Sequence, residues 1–130
     1  MYHRRGLTLV IAMAMLVTLF AGCAAKTTPS PSTEGNTITV TAAGMAFDTS
    51  TITVSAGAHL TITFINNDSG TPHNIAFYTS PSATTVIYKG KTTTGVATIT
   101  YTFDAPTTPG TYFFRCDVHP NTMTGEFIVQ

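Results

Sequence analysis

Near its carboxyl end the chain reads GTYFFRCDVHPNTMTGEFIVQ, which sets a thiol, an imidazole and a thioether at Cys116, His119 and Met123. Two residues separate Cys116 from His119 and three separate His119 from Met123, so one short loop can turn all three toward a common centre. Thiolate, imidazole and thioether are soft ligands suited to copper, and two His, one Cys and a weak axial Met make the blue-copper arrangement. A second imidazole is missing from the loop. His73, in TPHNIAFY, is the sensible donor, because His3 lies in an export signal and His59 sits in a strand pattern away from other ligand-like groups. His73 precedes Cys116 by 43 residues, so only tertiary folding can unite them.

Taken singly, each residue has an ordinary explanation: Cys116 as a core thiol, His73 as a satisfied polar group at a strand start, Met123 as loop packing, Pro120 as a turn former. The combination does not. Zinc also takes Cys and His, but it gains nothing from a thioether, and structural zinc sites use four Cys or His ligands close in sequence. Cysteine usage points the same way. The chain has 2 cysteines, Cys23 and Cys116. With Cys23 spent on lipid, Cys116 is a lone thiol in an oxidising compartment, where it is either buried and inert or bound to something.

The amino terminus is unlike the rest. His3, Arg4 and Arg5 precede an apolar run from Leu7 to Gly22, 16 residues long, which ends in small residues just before Cys23. That is short of the roughly 20 residues of a spanning helix. Leu19-Phe20-Ala21-Gly22-Cys23 resembles a bacterial or archaeal lipobox, with Phe20 where Leu is preferred. The resemblance implies that Cys23 is lipidated and becomes the new terminus, whereas in an ordinary secretory signal Cys23 would be incidental. Residues 1–22 are therefore expected to be a lipoprotein signal peptide. Residues 23–36, with AAKTTPSPSTEGN after the cysteine, are too poor in large apolar groups to order themselves and read as a tether. Such a tether reaches on the order of 20 Å.

Removing residues 1–22 leaves 108, enough for one compact domain. Four basic residues (Lys26, Lys89, Lys91, Arg115) then face six acidic ones (Glu34, Asp48, Asp68, Asp104, Asp117, Glu126), a formal charge of −2. Nucleic acid is excluded as a partner, since phosphate binding needs a clustered positive face. Lys89 and Lys91 read either as a docking patch or, more blandly, as a solvated hairpin end.

From residue 37 onward the pattern alternates with a period of two, with Thr and other β-branched residues in the alternate places and no helical spacing. Strands are predicted at 37–42, 51–54, 59–65, 74–79, 84–88, 96–103, 111–116 and 125–129. Leu60, Ile62 and Phe64 share one face while Thr61 and Thr63 share the other, as a strand with one wet side requires. Seven or eight such strands, without room for crossover helices, predict an all-β Greek-key sandwich or barrel.

Residues 37–130 resemble a cupredoxin of the plastocyanin, amicyanin and halocyanin type. Phe47-Asp48, Ile52, Val54, Gly57, Leu60, Phe64, Asn66 or Asn67, and Asp68 fall where such domains have their first strands. Pro72-His73-Asn74 is the tripeptide found in plastocyanins, and Gly110, Tyr112 and Phe114 match the strand leading to the copper cysteine. The resemblance implies one copper ion per chain held by His73, Cys116, His119 and an axial Met123. It further implies that the Asn74 backbone supports the cysteine sulfur, that the Pro72 carbonyl is a distant axial neighbour, and that the His119 ring edge, near Pro120, is the electron exit. The loop has three residues between His119 and Met123, where plastocyanin-like loops have four and amicyanin-like loops two, which leaves Met123 less secure than the other three ligands. Thr49 and Ser50 stand where a proline often follows the aromatic.

A copper ion held by preset ligands changes oxidation state with little movement, so the expected function is one-electron transfer between redox proteins, as donor and acceptor, by a monomer at the outer face of a membrane. Copper storage or delivery to an oxidase is the alternative, since the ligands do not discriminate. An enzyme with a second copper needs more histidines than the three of the processed chain. A lipid-anchored adhesion module would take up no metal.

Overall fold

The computed structural model describes residues 36–130. The expected signal peptide, the lipidated Cys23 and the tether up to residue 35 lie outside the described residues, while Asn36, the last residue of the expected tether, already opens the first strand opposite Leu60. The strands are β1 (Asn36–Ala43), β2 (Ala46–Phe47), β3 (Thr51–Val54), β4 (His59–Asn66), β5 (Pro72–His73), β6 (Ala76–Tyr78), β7 (Val86–Lys89), β8 (Thr93–Thr94), β9 (Ala97–Asp104), β10 (Gly110–Arg115) and β11 (Thr124–Val129). All eight predicted strands are present. The three that alternation does not reveal, β2, β5 and β8, are two residues long, too short to express a period.

Two sheets and a small ribbon result. One sheet has the order β2-β1-β4-β9, the other β3-β11-β10-β6-β7, and β5 pairs with β8. Strands β1 and β4 run parallel, as do β3 and β11, and the remaining pairs are antiparallel. The predicted all-β sandwich is the fold observed. Alternation decides which side faces in: along β4, Leu60, Ile62 and Phe64 are fully buried while Thr61 and Thr63 are only half-buried. Thr37, Thr61 and Thr102 stand in register across β1, β4 and β9 on the wet face of that sheet.

Aromatic rings join the layers. Phe103 on β9 lies 4.8 Å from the Phe77 ring on β6 and stacks at 4.6 Å on Tyr88 of β7, while Phe77 meets Phe127 of β11 edge-on at 4.9 Å. Such pairs add about 0.5–1.5 kcal/mol each beyond their buried area.

The strand order also positions the site. Strand β10 runs toward Cys116, and β6 runs antiparallel beside it, away from His73, with Arg115 opposite Ala76. The end of one strand and the approach to the other therefore lie together, which brings residues 43 apart in sequence to one edge of the sandwich.

Candidate metal centre

Cys116 leaves β10 as a fully buried, free cysteine. Its sulfur lies 3.7 Å from Nδ1 of His73 and 3.8 Å from Nδ1 of His119, and the two ring nitrogens are 3.1 Å apart. These three side chains form the one His/Cys/Asp/Glu cluster with metal-holding geometry among the described residues. First-row metal ions bind N and S at about 2.0–2.3 Å, so donors around one ion stand roughly 3–4 Å apart, as these do. Soft sulfur with two imidazoles fits copper. His73 is fully buried and His119 half-buried, their rings tilted at 57° with centroids 4.8 Å apart.

Backbone hydrogen bonds close the loop. The Cys116 N–H donates to the Met123 carbonyl at 2.9 Å, and the His119 carbonyl accepts from Thr122 at 3.3 Å and from Met123 at 3.1 Å. A three-residue spacing between His119 and Met123 is thus accommodated by one tight turn, and the Met123 side chain is fully buried. At the floor, a Cβ on Gly90 would come within 2.6 Å of the Ile75 carbonyl and 2.8 Å of the Tyr101 ring, so only glycine fits there. Burial pushes the Tyr101 phenol up, helped by its neighbours Tyr88 and Cys116.

A polar scaffold surrounds the cluster. The buried Asn74 amide donates to the Gly90 carbonyl at 3.0 Å and its oxygen accepts the Asp117 N–H at 2.8 Å, tying the His73 segment to the residue after Cys116. Asp117 in turn accepts from the Tyr78 hydroxyl at 2.5 Å and from Arg115 at 3.0 Å, and pairs with Lys89 at 3.0 Å. Burial alone would raise the Asp117 carboxyl, but the bonds from Tyr78, Lys89, Arg115 and Asn74 outweigh it and hold the group at about 2. On the opposite side, Nε2 of His73 meets the Asp68 carboxylate at 2.8 Å.

The profile of the cupredoxin-like domain family matches residues 10–129. The chain belongs to this cupredoxin-like family. None of the curated protein sequences compared with it matches. Among solved structures, it is similar to auracyanin A, described as a "blue" copper protein of the green thermophilic photosynthetic bacterium Chloroflexus aurantiacus. The identity is 28% over 74% of this chain and 99% of auracyanin A, with a TM-score of 0.66. Dithionite-reduced auracyanin from the photosynthetic bacterium Roseiflexus castenholzii is 27% identical over 72% of this chain and 96% of its own, with a TM-score of 0.65. An amicyanin variant in its reduced Cu(I) form is 26% identical over 72% of this chain and 82% of its own, with a TM-score of 0.53.

Of the residues that sequence reasoning singled out in this cupredoxin, His73, Cys116 and His119 converge, and Met123 closes their loop. Pro72 pairs with Thr94 in the β5–β8 ribbon. Asn74 acts through its side chain, bracing Asp117 and Gly90. His59 stands apart, exposed at the start of β4 and paired with Asp104 across the sheet. The ligand-side roles of Asp68 and Asp117 escaped the sequence reading. Asp68 sits in a turn-forming run, Asn66-Asn67-Asp68-Ser69-Gly70, and Asp117 inside the Cys-x2-His spacing; nothing local marks either as a site partner.

Proposed function

We propose that this cupredoxin holds one copper ion per chain and carries single electrons between redox proteins. The observation that supports it is the convergence of two imidazole nitrogens and one sulfur, from opposite ends of neighbouring strands, within 3.8 Å of one another in the protein interior. Copper would supply a one-electron couple between Cu(I) and Cu(II), and His73, Cys116 and His119 would hold it, with the buried Met123 thioether as a fourth donor.

This chain's own residues do the rest. The Cys116–Met123 and His119–Met123 backbone bonds fix the loop before any metal arrives. Asn74 locks the loop to the His73 segment, so the donors need not rearrange between oxidation states. Burial of Cys116 and His73 excludes water, and half-buried His119 provides the approach nearest solvent, with exposed Val118 and Pro120 beside it. A carrier of this kind is not an enzyme; it transforms no substrate.

Further parts of this reading concern residues outside the described ones. Residues 1–22 act as a lipoprotein signal, Cys23 carries the lipid, residues 23–35 form the tether, and the monomeric domain that follows works on the outer side of a membrane. Mass spectrometry of the mature protein should find a diacylglyceryl mass on Cys23, and an intact residue 1–22 segment would contradict the anchor.

The decisive experiment is copper(II) titration of the purified, metal-free domain. An intense blue or green colour, saturating at one ion per chain and bleached reversibly by ascorbate, is expected. Tight copper binding without reversible reduction, or transfer of the metal itself to an acceptor protein, would instead indicate storage or delivery.

A further inference from the structure

We propose that Asp68 is a positioning residue for the metal: its carboxylate fixes the His73 proton on Nε2, aims the Nδ1 lone pair at the Cys116–His119 centre, and favours copper in its more highly charged state. This role presupposes the copper reading of the site.

The hydrogen-bond chemistry leaves little freedom. An ionised carboxylate only accepts, so the 2.8 Å contact between Asp68 Oδ2 and His73 Nε2 requires Nε2 to carry the proton. A neutral imidazole protonated there has an unprotonated Nδ1, and that atom stands 3.7 Å from the Cys116 sulfur and 3.1 Å from His119 Nδ1. His73 is fully buried, so its ring has no water to donate to in place of Asp68. Hydrogen-bonded partners of this kind orient metal-ligating histidines and raise their basicity.

Asp68 is itself held. Its Oδ1 accepts the Gly44 N–H at 2.6 Å, its Oδ2 accepts the Met45 N–H at 3.0 Å, and its own N–H donates to Asn66 Oδ1 at 2.9 Å. Asn66, fully buried, is anchored in turn on the carbonyls of Thr71 and Thr93. Gly44 and Met45 are consecutive residues in the left-handed region, with φ of 59° and 63°. Methionine adopts that conformation only at a cost, and here it turns two successive N–H groups onto one carboxylate, a backbone concavity suited to an anion.

The two imidazoles consequently differ. His73 has a fixed negative charge behind it, whereas no carboxylate pairs with His119 among the described residues. A negative charge close behind one ligand stabilises Cu(II) more than Cu(I) and so lowers the reduction potential.

Two measurements test this. In the metal-free wild type, nitrogen-15 NMR should find His73 as the Nε2–H tautomer, and a proton on Nδ1 would overturn the positioning role. In the copper-loaded protein, Asp68→Asn keeps the shape and an acceptor oxygen but removes the charge. It should lose about tenfold more affinity for Cu(II) than for Cu(I), which raises the potential by about 59 mV. An unchanged potential in a folded, copper-binding Asp68→Asn protein would overturn the electrostatic role. Asp68→Glu, which restores the charge, should return the potential toward that of the wild type. A wild type that lacks a reversible copper couple would sink the carrier reading alone, because the tautomer in the metal-free protein is read without copper.

Discussion

The domain contains two histidine–carboxylate pairs of nearly equal length and very different standing. His59 meets Asp104 at 2.6 Å across β4 and β9, with side chains 63% and 75% exposed. His73 meets Asp68 at 2.8 Å, with side chains 0% and 18% exposed. The shorter contact is the less consequential. At the sheet edge both groups keep their water and salt screens them, so the pair is a cross-strand neighbour contact. At the site the imidazole of His73 has no water to fall back on, and its other nitrogen faces a thiol and a second imidazole. Burial and the company on the far side of the ring separate a site from a surface contact.

Substitutions can break or sharpen that contrast. The largest effect is expected at the sulfur: Cys116→Ser should remove the intense visible absorption of the oxidised, copper-loaded protein while its far-ultraviolet circular dichroism persists. An unchanged spectrum would refute the ligand assignment. Next come the histidines themselves. His73→Ala should lower copper affinity by at least about a hundredfold in competition titrations, above the range seen on loss of outer partners, while His59→Ala leaves affinity unaltered. Equal losses would erase the distinction drawn between the two pairs.

Smaller effects fall on the scaffold. Asn74→Ala strands the Asp117 N–H and the Gly90 carbonyl in the interior and should cost about 1–3 kcal/mol in urea denaturation of the metal-free domain. Asp117 should make the same domain acid-sensitive. Its carboxyl is held at about 2 in the folded protein against an ordinary 3.8. A depressed carboxyl stabilises above its unfolded value, so this contribution is complete above roughly pH 5 and lost as pH falls toward 2. For a side chain 13% exposed the loss is on the order of 1–2 kcal/mol after screening. Asp117→Asn should flatten that part of the stability profile, and an unaltered profile would discount the network. Least of all is expected from Asp104→Asn, whose denaturation midpoint should coincide with that of the wild type.

The fold was largely legible in the chain. Leu60-Thr61-Ile62-Thr63-Phe64 declares a strand and its buried face without outside help, because alternation is a local consequence of the pleat. Strands β2, β5 and β8 escaped notice because two residues carry no period. At the site, the Cys116–His119–Met123 loop was readable because its spacing is local. His73 was reached by elimination among four histidines. Asp68 and Asp117 were not reachable, since an aspartate in a turn or a loop has the same appearance whether it faces water or an imidazole.

The chain alone therefore determined which residue types could bind a soft metal, where the strands run and which side of each is apolar. All of these depend on neighbours within a few positions. Tertiary structure decided that β6 and β10 lie antiparallel, so that His73 and Cys116 share one edge of the sandwich. It also decided which of two histidines has a carboxylate buried behind it. Strand pairing and burial sum contacts across the whole domain, and no local window of sequence contains that sum.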